Sequence, residues 1–377
     1  MKKIFYLGYY DLPSGNTNVV LAATNKMNYI IDVLAKYGYG VEIVSASVNK
    51  RGEKNVGSTR KINDSVSLTT FDSNFGKNRF ARILGRRKFF NGLKRYLKKN
   101  VSAGDTVIVY HSLGYYKLYE WLKREVKANV VLEVEEIYSD VGKTRFVTRE
   151  KEVKSFSYAD AYIFPTGLLD EAINVDKKPA VVIHGTYGVE KQCGKPFADG
   201  KVHVVYAGTF DPRKGGSAAA AAAGQFLSCG YHIHILGFGT EEDKQNLLKT
   251  IEDVSKKTEC IVTYDGLKSG SEYIEFIQSC DIGLSTQNPA AAFNATSFPS
   301  KILSYMSNGL RVVSIRIPAI EDSAIGEYMY YYDKQTPEKI AEAIKSVDLN
   351  DGYDGRKIIE ELDEKFTKEL KELLENL

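Results

Sequence analysis

One stretch of the chain combines a strand, a glycine turn, two cations and the start of a helix. It reads VVYAGTFDPRKGG over residues 204–216. Gly208 lets a ligand approach the backbone, and Arg213 and Lys214 supply positive charge. The free N–H groups of the following helix add a partial positive charge. The pattern predicts an anion site suited to a diphosphate, and a surface turn with solvated cations is the alternative.

A later stretch, NATSFPSKILSYMSNGLRVVS over residues 294–314, predicts a second cationic helix start. Pro299 fits a first helical turn with Ser297 as the cap, and Gly309 ends the helix. Lys301 is then expected to face the same ligand as Lys214. An ordinary capped helix with a surface lysine is the alternative.

Between these two stretches lies a weaker signal, HILGFGTE over residues 234–241. Its G-x-G begins at Gly237, but Glu242 stands where a dinucleotide fingerprint has its third glycine. A tight turn between a strand and a helix explains the pattern equally well.

Candidates for acid–base chemistry come from the first half of the chain. Glu133, Glu135 and Glu136 close a predicted strand, and ligands bind at the carboxyl ends of parallel strands. A carboxylate there can remove a proton from a hydroxyl group or stabilise positive charge that develops on a bound ligand, and a solvated strand end is the alternative. His111 ends another strand, where a cleft histidine and a core histidine are equally compatible with the sequence.

The other histidines and the cysteines do not indicate a metal centre or a disulfide framework. The sequence contains no H-x-x-x-H, D-x-D or C-x-x-C spacing, so we predict no metal. Packing is the expected role of His184, His203, His232 and His234. Buried free thiols, and with them a reducing cytoplasm, are expected from Cys229, Cys260 and Cys280.

The elements that position these residues follow an alternating pattern of strands and helices, which predicts parallel sheets. The 377 residues, 43% of them hydrophobic, suffice for two α/β domains. We predict an N-terminal domain over 1–190, a C-terminal domain over 191–355 and a charged amphipathic helix over 356–377. Strands are predicted at 3–9, 40–45, 66–71, 106–110, 129–133, 161–164 and 180–184, and then at 202–207, 232–237, 261–264, 282–285, 311–314 and 329–332. The start of the chain is expected to be a strand, not a signal peptide.

A basic arm over residues 77–99 lies in a stretch without any acidic residue. Cations interleaved with apolar residues suit an interfacial helix on an anionic membrane. The residues assigned to this contact are Arg82, Arg86, Arg87, Lys88, Phe89 and Phe90. Packing of the helix on the N-terminal sheet is the alternative. Nucleic acid is not favoured, because no nucleic-acid-binding module accompanies the arm.

Five segments, YAGTFDPRKGG, ILGFGTEED, VTYDG, CDIGLSTQ and SFPSKILSYMSNGLRVVS, occur in this order. In this the chain resembles the donor-binding domain of GT-B glycosyltransferases, closest to bacterial glycosyltransferase family 4. The segments GYYDLPSGN, VYHS, LEVEEIYSD and VVIHGTYG extend the resemblance to the first half. It implies an α/β fold with two Rossmann-like, doubly wound parallel-sheet domains facing a cleft.

The resemblance also implies roles for individual residues. Lys214 matches the lysine that binds the donor diphosphate, and Gly15 and Asn16 match a loop that closes on the donor phosphate. The base is bordered by Tyr264, Asp265 and Gly266. The sugar and diphosphate are held by Thr296, Ser297, Phe298, Pro299, Ser300 and Lys301. This chain departs from the family at Thr209, usually arginine, at Ser304 and Thr296, usually glutamates, and at Glu135, commonly histidine.

The function implied is that of a metal-independent hexosyltransferase at the inner face of the cell membrane. It would move a sugar from a nucleotide-sugar substrate, UDP being favoured over GDP, to a saccharide or lipid-linked acceptor in bacterial surface polysaccharide synthesis. No cofactor is expected. A GT-B sugar-nucleotide epimerase and a non-catalytic sugar-nucleotide-binding subunit are the alternatives.

Overall fold

The structure is a computed structural model of the chain. It describes residues 2–12, 17, 20–49, 54–73, 78–142, 147–211, 216–290, 294 and 296–377. The chain divides into two compact units. The first unit contains Met1–Pro165, Leu169–Thr186 and Lys365–Leu377, and the second contains Thr166–Leu168 and Tyr187–Glu364. The last part of the C-terminal helix thus belongs to the first unit, whereas the sequence analysis treats that helix as a separate segment.

The first unit is built on an eight-stranded sheet. Its strands are β1 (Lys3–Gly8), β2 (Gly40–Ser45), β3 (Thr59–Lys61), β4 (Val66–Thr69), β5 (Thr106–Tyr110), β6 (Asn129–Glu133), β7 (Ala161–Phe164) and β8 (Ala180–Val182). They lie in the order β3-β4-β2-β1-β5-β6-β7-β8, and only the pairing of β3 with β4 is antiparallel. The strand order reverses between β1 and β5, which is where sheets of this kind bind ligands.

Helices cover both faces of this sheet, as its strands, buried on both faces, require. They are α1 (Leu21–Lys36), α2 (Arg79–Asn100), α3 (Tyr116–Trp121), α4 (Tyr138–Val141), α5 (Arg149–Phe156) and α6 (Gly167–Ile173). Helix α2 presents Phe89, Leu93 and Leu97 to the core at a spacing of four residues, one stripe of the helix.

The second unit has a six-stranded sheet that is parallel throughout. Its strands are β9 (Val202–Thr209), β10 (Tyr231–Phe238), β11 (Ile261–Gly266), β12 (Ile282–Ser285), β13 (Arg311–Ile315) and β14 (Met329–Tyr332). They lie in the order β11-β10-β9-β12-β13-β14, the Rossmann order, with its switch point between β9 and β12. The helices are α7 (Ser217–Ala223), α8 (Glu241–Ser255), α9 (Gly270–Gln278), α10 (Lys301–Ser307), α11 (Pro318–Glu321), α12 (Pro337–Lys345) and α13 (Gly355–Glu375).

The predicted fold class, α/β with two parallel Rossmann-like sheets, is confirmed. Strand β3 is absent from the prediction because it is a short, polar edge strand without an apolar run. The prediction also places Cys229 among the buried thiols, which is wrong, since this residue is exposed. Among the described residues, no helix is both long enough and apolar enough to cross a membrane.

Candidate functional site

Four residues assigned to the donor site, Gly15, Asn16, Arg213 and Lys214, lie outside the described residues. The described part of the predicted site gathers at the carboxyl ends of β9 and β10. Gly237 has φ +137°, and a Cβ there would lie 1.7 Å from the Gly208 carbonyl oxygen. Only glycine fits this position, so the two strands end in bare backbone that a ligand can approach closely.

Lys301 places a cation at this end of the sheet. Its Nζ lies 4.2 Å from the centre of the Tyr206 ring. A Cβ on Gly208 would come within 3.0 Å of that Nζ, so the ammonium group lies directly against the end of β9. Burial lowers the pKa of Lys301 to about 8. Among the described residues no carboxylate pairs with it, which leaves the ammonium group suited to an anionic ligand.

Buried hydroxyl groups lie in the same region without a hydrogen-bonding partner among the described residues. Thr286 follows β12 at the switch point, and its Oγ1 is one of them. A Cβ on Gly216, the residue before α7, would lie 2.8 Å from that oxygen. Ser297 Oγ is a second such hydroxyl group. Such groups can donate hydrogen bonds to an anion.

The segment before α10 differs from the prediction in its capping. Helix α10 begins at Lys301, and Ser300 occupies the cap position without a side-chain hydrogen bond. The assignment of Ser297 as the cap is therefore wrong. Pro299 lies two residues before the helix, and its carbonyl accepts a hydrogen bond from the Ile302 amide at 3.0 Å. Thr296 and Phe298 are half-buried in this segment.

The residues predicted to border the base are the last three of β11. The Tyr264 hydroxyl donates to the Gly237 carbonyl oxygen at 3.2 Å, and the Tyr264 ring packs edge-on against Phe210. Gly266 ends β11 at φ +82°. Asp265 is engaged elsewhere, because its Oδ2 contacts His234 Nδ1 at 3.1 Å.

Two of the residues at which the sequence departs from the family that it resembles, Thr209 and Ser304, have local partners. Thr209 Oγ1 accepts a hydrogen bond from the Asp211 amide at 3.2 Å, and the Thr209 carbonyl accepts one from the Tyr206 hydroxyl. Ser304 Oγ lies 3.2 Å from the Tyr273 hydroxyl oxygen. A pair of neutral hydroxyl groups therefore stands where the family carries a carboxylate.

In the first unit, Glu133 is fully buried at the end of β6. Its Oε2 accepts a hydrogen bond from the Tyr6 hydroxyl on β1. Burial, reinforced by the negative charge of Glu135, raises the pKa of Glu133 to about 8. This rise in pKa favours the protonated form of Glu133, so we do not assign Glu133 as the general base.

Glu135 is more exposed than Glu133 and has a cationic partner. Its Oε1 lies 3.1 Å from Lys26 Nζ, and the side chains are 24% and 5% exposed respectively. Lys26 also donates to the Ile183 carbonyl at 3.1 Å, so its ammonium group is fixed from two sides. Glu136 is half-buried. The pKa of Tyr138 is raised, chiefly by the burial of Tyr138 itself and next by the negative charge of Glu136. Of the three glutamates, Glu135 combines access to solvent with a fixed position.

His111 is buried, and both of its ring nitrogens have partners. Nδ1 lies 2.7 Å from the Tyr119 hydroxyl oxygen, and Nε2 lies 2.8 Å from Glu152 Oε1. Burial lowers the pKa of His111, although the hydrogen bond to the Glu152 carboxylate opposes this. Glu152 also accepts the backbone N–H groups of Tyr138 and Ser139. This geometry holds the segment that follows Glu136 and leaves no ring nitrogen of His111 open to a ligand.

Solved structures with a similar fold match this chain over its whole length. Sucrose-phosphate synthase from Thermosynechococcus elongatus matches with a TM-score of 0.70 at 14% identity, covering 100% of this chain and 99% of that one. An E. coli structure described as trehalose-6-phosphate bound with UDP-2-fluoro glucose matches with 0.71 at 10% identity and the same coverage. The fold is GT-B.

A third matching structure contains a sugar phosphate. It is a UDP-forming α,α-trehalose-phosphate synthase from Burkholderia xenovorans in complex with glucose-6-phosphate, with a TM-score of 0.65 at 10% identity and coverage of 100% and 99%. No family model and no curated protein matches the sequence. At these identities the likeness establishes the fold.

Sequence reasoning missed several residues of this GT-B chain that the structure places at the strand ends. Tyr206 and Thr286 fall inside motifs that the analysis quotes, so their position just before or after a strand end was the available signal. Lys26 and Glu152 are distant in sequence from the groups they contact, and only the fold brings them there.

The protonated state of Glu133 predicts a pH-dependent stability. In the unfolded chain a glutamate ionises near pH ~4.3, whereas here the pKa is about 8. Because the folded state binds the extra proton between these values, this group makes stability fall as pH rises through that window. Glu133→Gln cannot ionise, so its melting temperature relative to wild type should rise between pH ~5 and ~8 and then level off. Equal differences at all pH values would contradict the assignment, and Glu120→Gln on the exposed face of α3 is the control.

Helix α2 presents a different apolar face from the predicted one. Phe89 is 2% exposed and belongs to the core, and Phe90 is partly buried against it. Their assignment to membrane contact is therefore wrong, because the stripe they occupy faces the sheet. The exposed apolar residues of this helix are Phe80, Ile83 and Leu84, one or two turns earlier. Arg82, Arg86, Arg87 and Lys88 are exposed around them.

Proposed function

We propose that this chain is a metal-independent glycosyltransferase that transfers a hexose from a nucleotide sugar, with UDP as the favoured nucleotide. The observation that carries the proposal is the Lys301 ammonium group at the carboxyl end of β9, without a carboxylate partner among the described residues. A UDP-sugar diphosphate supplies the missing negative charge. The UDP ligand of the E. coli GT-B structure supports this choice.

In the transfer, the bond between the anomeric carbon and the diphosphate oxygen breaks, and a bond from that carbon to an acceptor oxygen forms. Negative charge grows on the departing diphosphate. Lys301, hydroxyl groups such as that of Thr286, and the backbone beside Gly208 stabilise this charge. We assign Lys214, which lies outside the described residues, as a second cation for the diphosphate. These groups neutralise the charge of the departing diphosphate, which a metal ion does in metal-dependent glycosyltransferases.

The acceptor hydroxyl must lose a proton, and we assign Glu135 as the base that accepts it. Its carboxylate is partly exposed, and the contact with Lys26 holds it in place. Glu136 is the second candidate base. His111 serves as a positioning residue, since its contacts with Glu152 hold the backbone that follows Glu136.

For the acceptor we propose a lipid-linked saccharide of bacterial surface polysaccharide synthesis, at the cytoplasmic face of the membrane, and membership of glycosyltransferase family 4. Helix α2 supports a membrane site through its exposed cations and apolar side chains. A sugar phosphate, such as the glucose-6-phosphate of the Burkholderia structure, is the competing acceptor. The two acceptors differ in their need for a membrane surface.

Vesicle binding tests the membrane contact. Phe80 is 80% exposed and Leu84 is 65% exposed. Burying either in the acyl region contributes about 1.5–3 kcal/mol, so Phe80→Ser with Leu84→Ser should weaken binding to phosphatidylglycerol vesicles by more than about tenfold. Val56→Ser removes an equally exposed apolar residue outside α2 and should have no effect. Absence of binding by the wild-type chain, or an unchanged double variant, contradicts the contact.

A thermal-shift screen of nucleotides and nucleotide sugars tests the donor proposal, because ligands that bind the native state raise its melting temperature. UDP or a UDP-sugar should give the largest rise. The best donor is then incubated with lipid-linked saccharides or sugar phosphates while free UDP is measured. Interconversion of the donor without acceptor would favour the epimerase, and binding without turnover the non-catalytic subunit.

A further inference from the structure

Three histidine side chains come together on one face of the second unit's sheet. His203 lies on β9, and His232 and His234 lie on β10, with His232 in register with His203. Residues two apart on a strand point to the same face. The cluster occupies the first half of these strands, whereas Gly208 and Lys301 lie at their carboxyl ends. It is therefore outside the proposed donor site.

Two of these imidazoles are part of a continuous chain of contacts between two carboxylates. Asp199 Oδ1 lies 2.8 Å from His203 Nε2, and His234 Nδ1 lies 3.1 Å from Asp265 Oδ2. The inner nitrogens, His203 Nδ1 and His234 Nε2, face each other at 2.9 Å. Both imidazoles are buried, and Phe197 stacks over them.

The number of protons in this chain explains why a cation suits it. An ionised carboxylate only accepts hydrogen bonds, and a neutral imidazole carries one N–H. If His203 donates to Asp199 and His234 donates to Asp265, both inner nitrogens present lone pairs to each other. A cation between them removes that conflict and keeps both outer hydrogen bonds.

His232 supplies a third nitrogen. One ligand atom from each of the three histidines lies within 4.8 Å of the others. The His232 ring stacks on the His234 ring with centres 3.8 Å apart, and it is partly exposed, which gives an ion a route of entry.

We propose that His203, His232 and His234 bind a divalent ion, zinc being the best match, with water as the fourth ligand. Imidazole nitrogens suit zinc, and carboxylates that fix the outer nitrogens, as Asp199 and Asp265 do, are the usual support of such sites. Tetrahedral zinc with bonds of about 2.0–2.1 Å places its ligand nitrogens about 3.3 Å apart. The inner pair therefore opens slightly, and His232 turns about its side-chain bonds.

The ion would tie β9, β10 and, through Asp265, β11 together, and it takes no part in the sugar transfer. The inference does not depend on the proposed function. From the sequence these residues are expected to pack, because they come from two strands and form no H-x-x-x-H pair.

The test uses the untagged full chain, stripped with a chelator and titrated with zinc against a chromogenic competitor. We expect one zinc per chain and a zinc-dependent rise in melting temperature. His232→Gln should weaken binding by more than about 100-fold, and Asp199→Asn by about 10–100-fold. Cobalt should give the absorption bands of a tetrahedral site in wild type and not in His232→Gln.

Two controls keep the outcome clear. Cys193→Ser with Cys229→Ser removes the exposed thiols and should leave zinc binding unchanged. The zinc-free melting temperatures of His232→Gln and wild type show whether the variant folds, and its UDP binding should match wild type. Zinc binding that is absent from wild type, or unchanged in His232→Gln, overturns the proposal.

Discussion

Replacing Lys301 by methionine should weaken UDP binding by about ten- to about 150-fold. Methionine keeps an unbranched side chain over Tyr206 but removes the ammonium group. A charge-assisted hydrogen bond contributes roughly 1.5–3 kcal/mol, which corresponds to that range of dissociation constants. Calorimetric titration of UDP into both proteins measures the change. High ionic strength should reduce this loss of UDP affinity only in part, because salt screens a buried pair of charges weakly.

The matched control is Lys256→Met. Lys256 is an exposed lysine of the same unit, paired with Glu252 at the end of α8. Its replacement should leave the UDP affinity unchanged. Equal affinities of the Lys301 variant and wild type would remove the observation on which the proposed function rests.

The second large effect is expected from Glu135→Gln. An amide cannot accept the acceptor's proton, so turnover should fall by about 10²–10⁴-fold. UDP affinity should stay nearly unchanged, because Lys301, Thr286 and the backbone at Gly208, which we assign to the diphosphate, lie in the second unit. The rate of UDP release in the presence of acceptor, together with a UDP titration, separates the two effects.

This variant also removes the ion pair of a buried lysine. Lys26 keeps its hydrogen bond to the Ile183 carbonyl. The melting temperature of the Glu135→Gln variant must still be compared with that of wild type. Glu120→Gln, on the exposed face of α3, serves as the control for a lost carboxylate. A Glu135 variant that loses UDP affinity as the Lys301 variant does would contradict the assignment of proton transfer to the first unit.

The parallel sheets were predictable because their strands are nearly continuous apolar runs. Strands β2, β5, β6, β7, β12 and β14 have the predicted bounds. Strand β3 was missed because its residues are polar. Strand β8 was predicted too long, because the apolar run continues to His184 whereas the strand ends at Val182. Helix α2 was predicted as a basic helix, but its buried stripe depends on the sheet that it covers.

At the site, the sequence identified groups that belong to one local motif. Lys301 is one of them, because Pro299 marks the start of its helix and Gly309 marks the end. The surroundings that give this group its properties are not local. The Tyr206 ring, the Lys26 partner of Glu135 and the contacts of His111 all come from distant segments, and so do the three clustered histidines.

The most direct measurement compares the binding of UDP and of uridine by the wild-type chain in the same calorimeter. We predict saturable binding of UDP, and binding of uridine weaker by more than about 100-fold, because the diphosphate meets the Lys301 ammonium group and the bare backbone at Gly208. Equal affinities, or the failure of both UDP and GDP to bind, would contradict a diphosphate site at the end of β9.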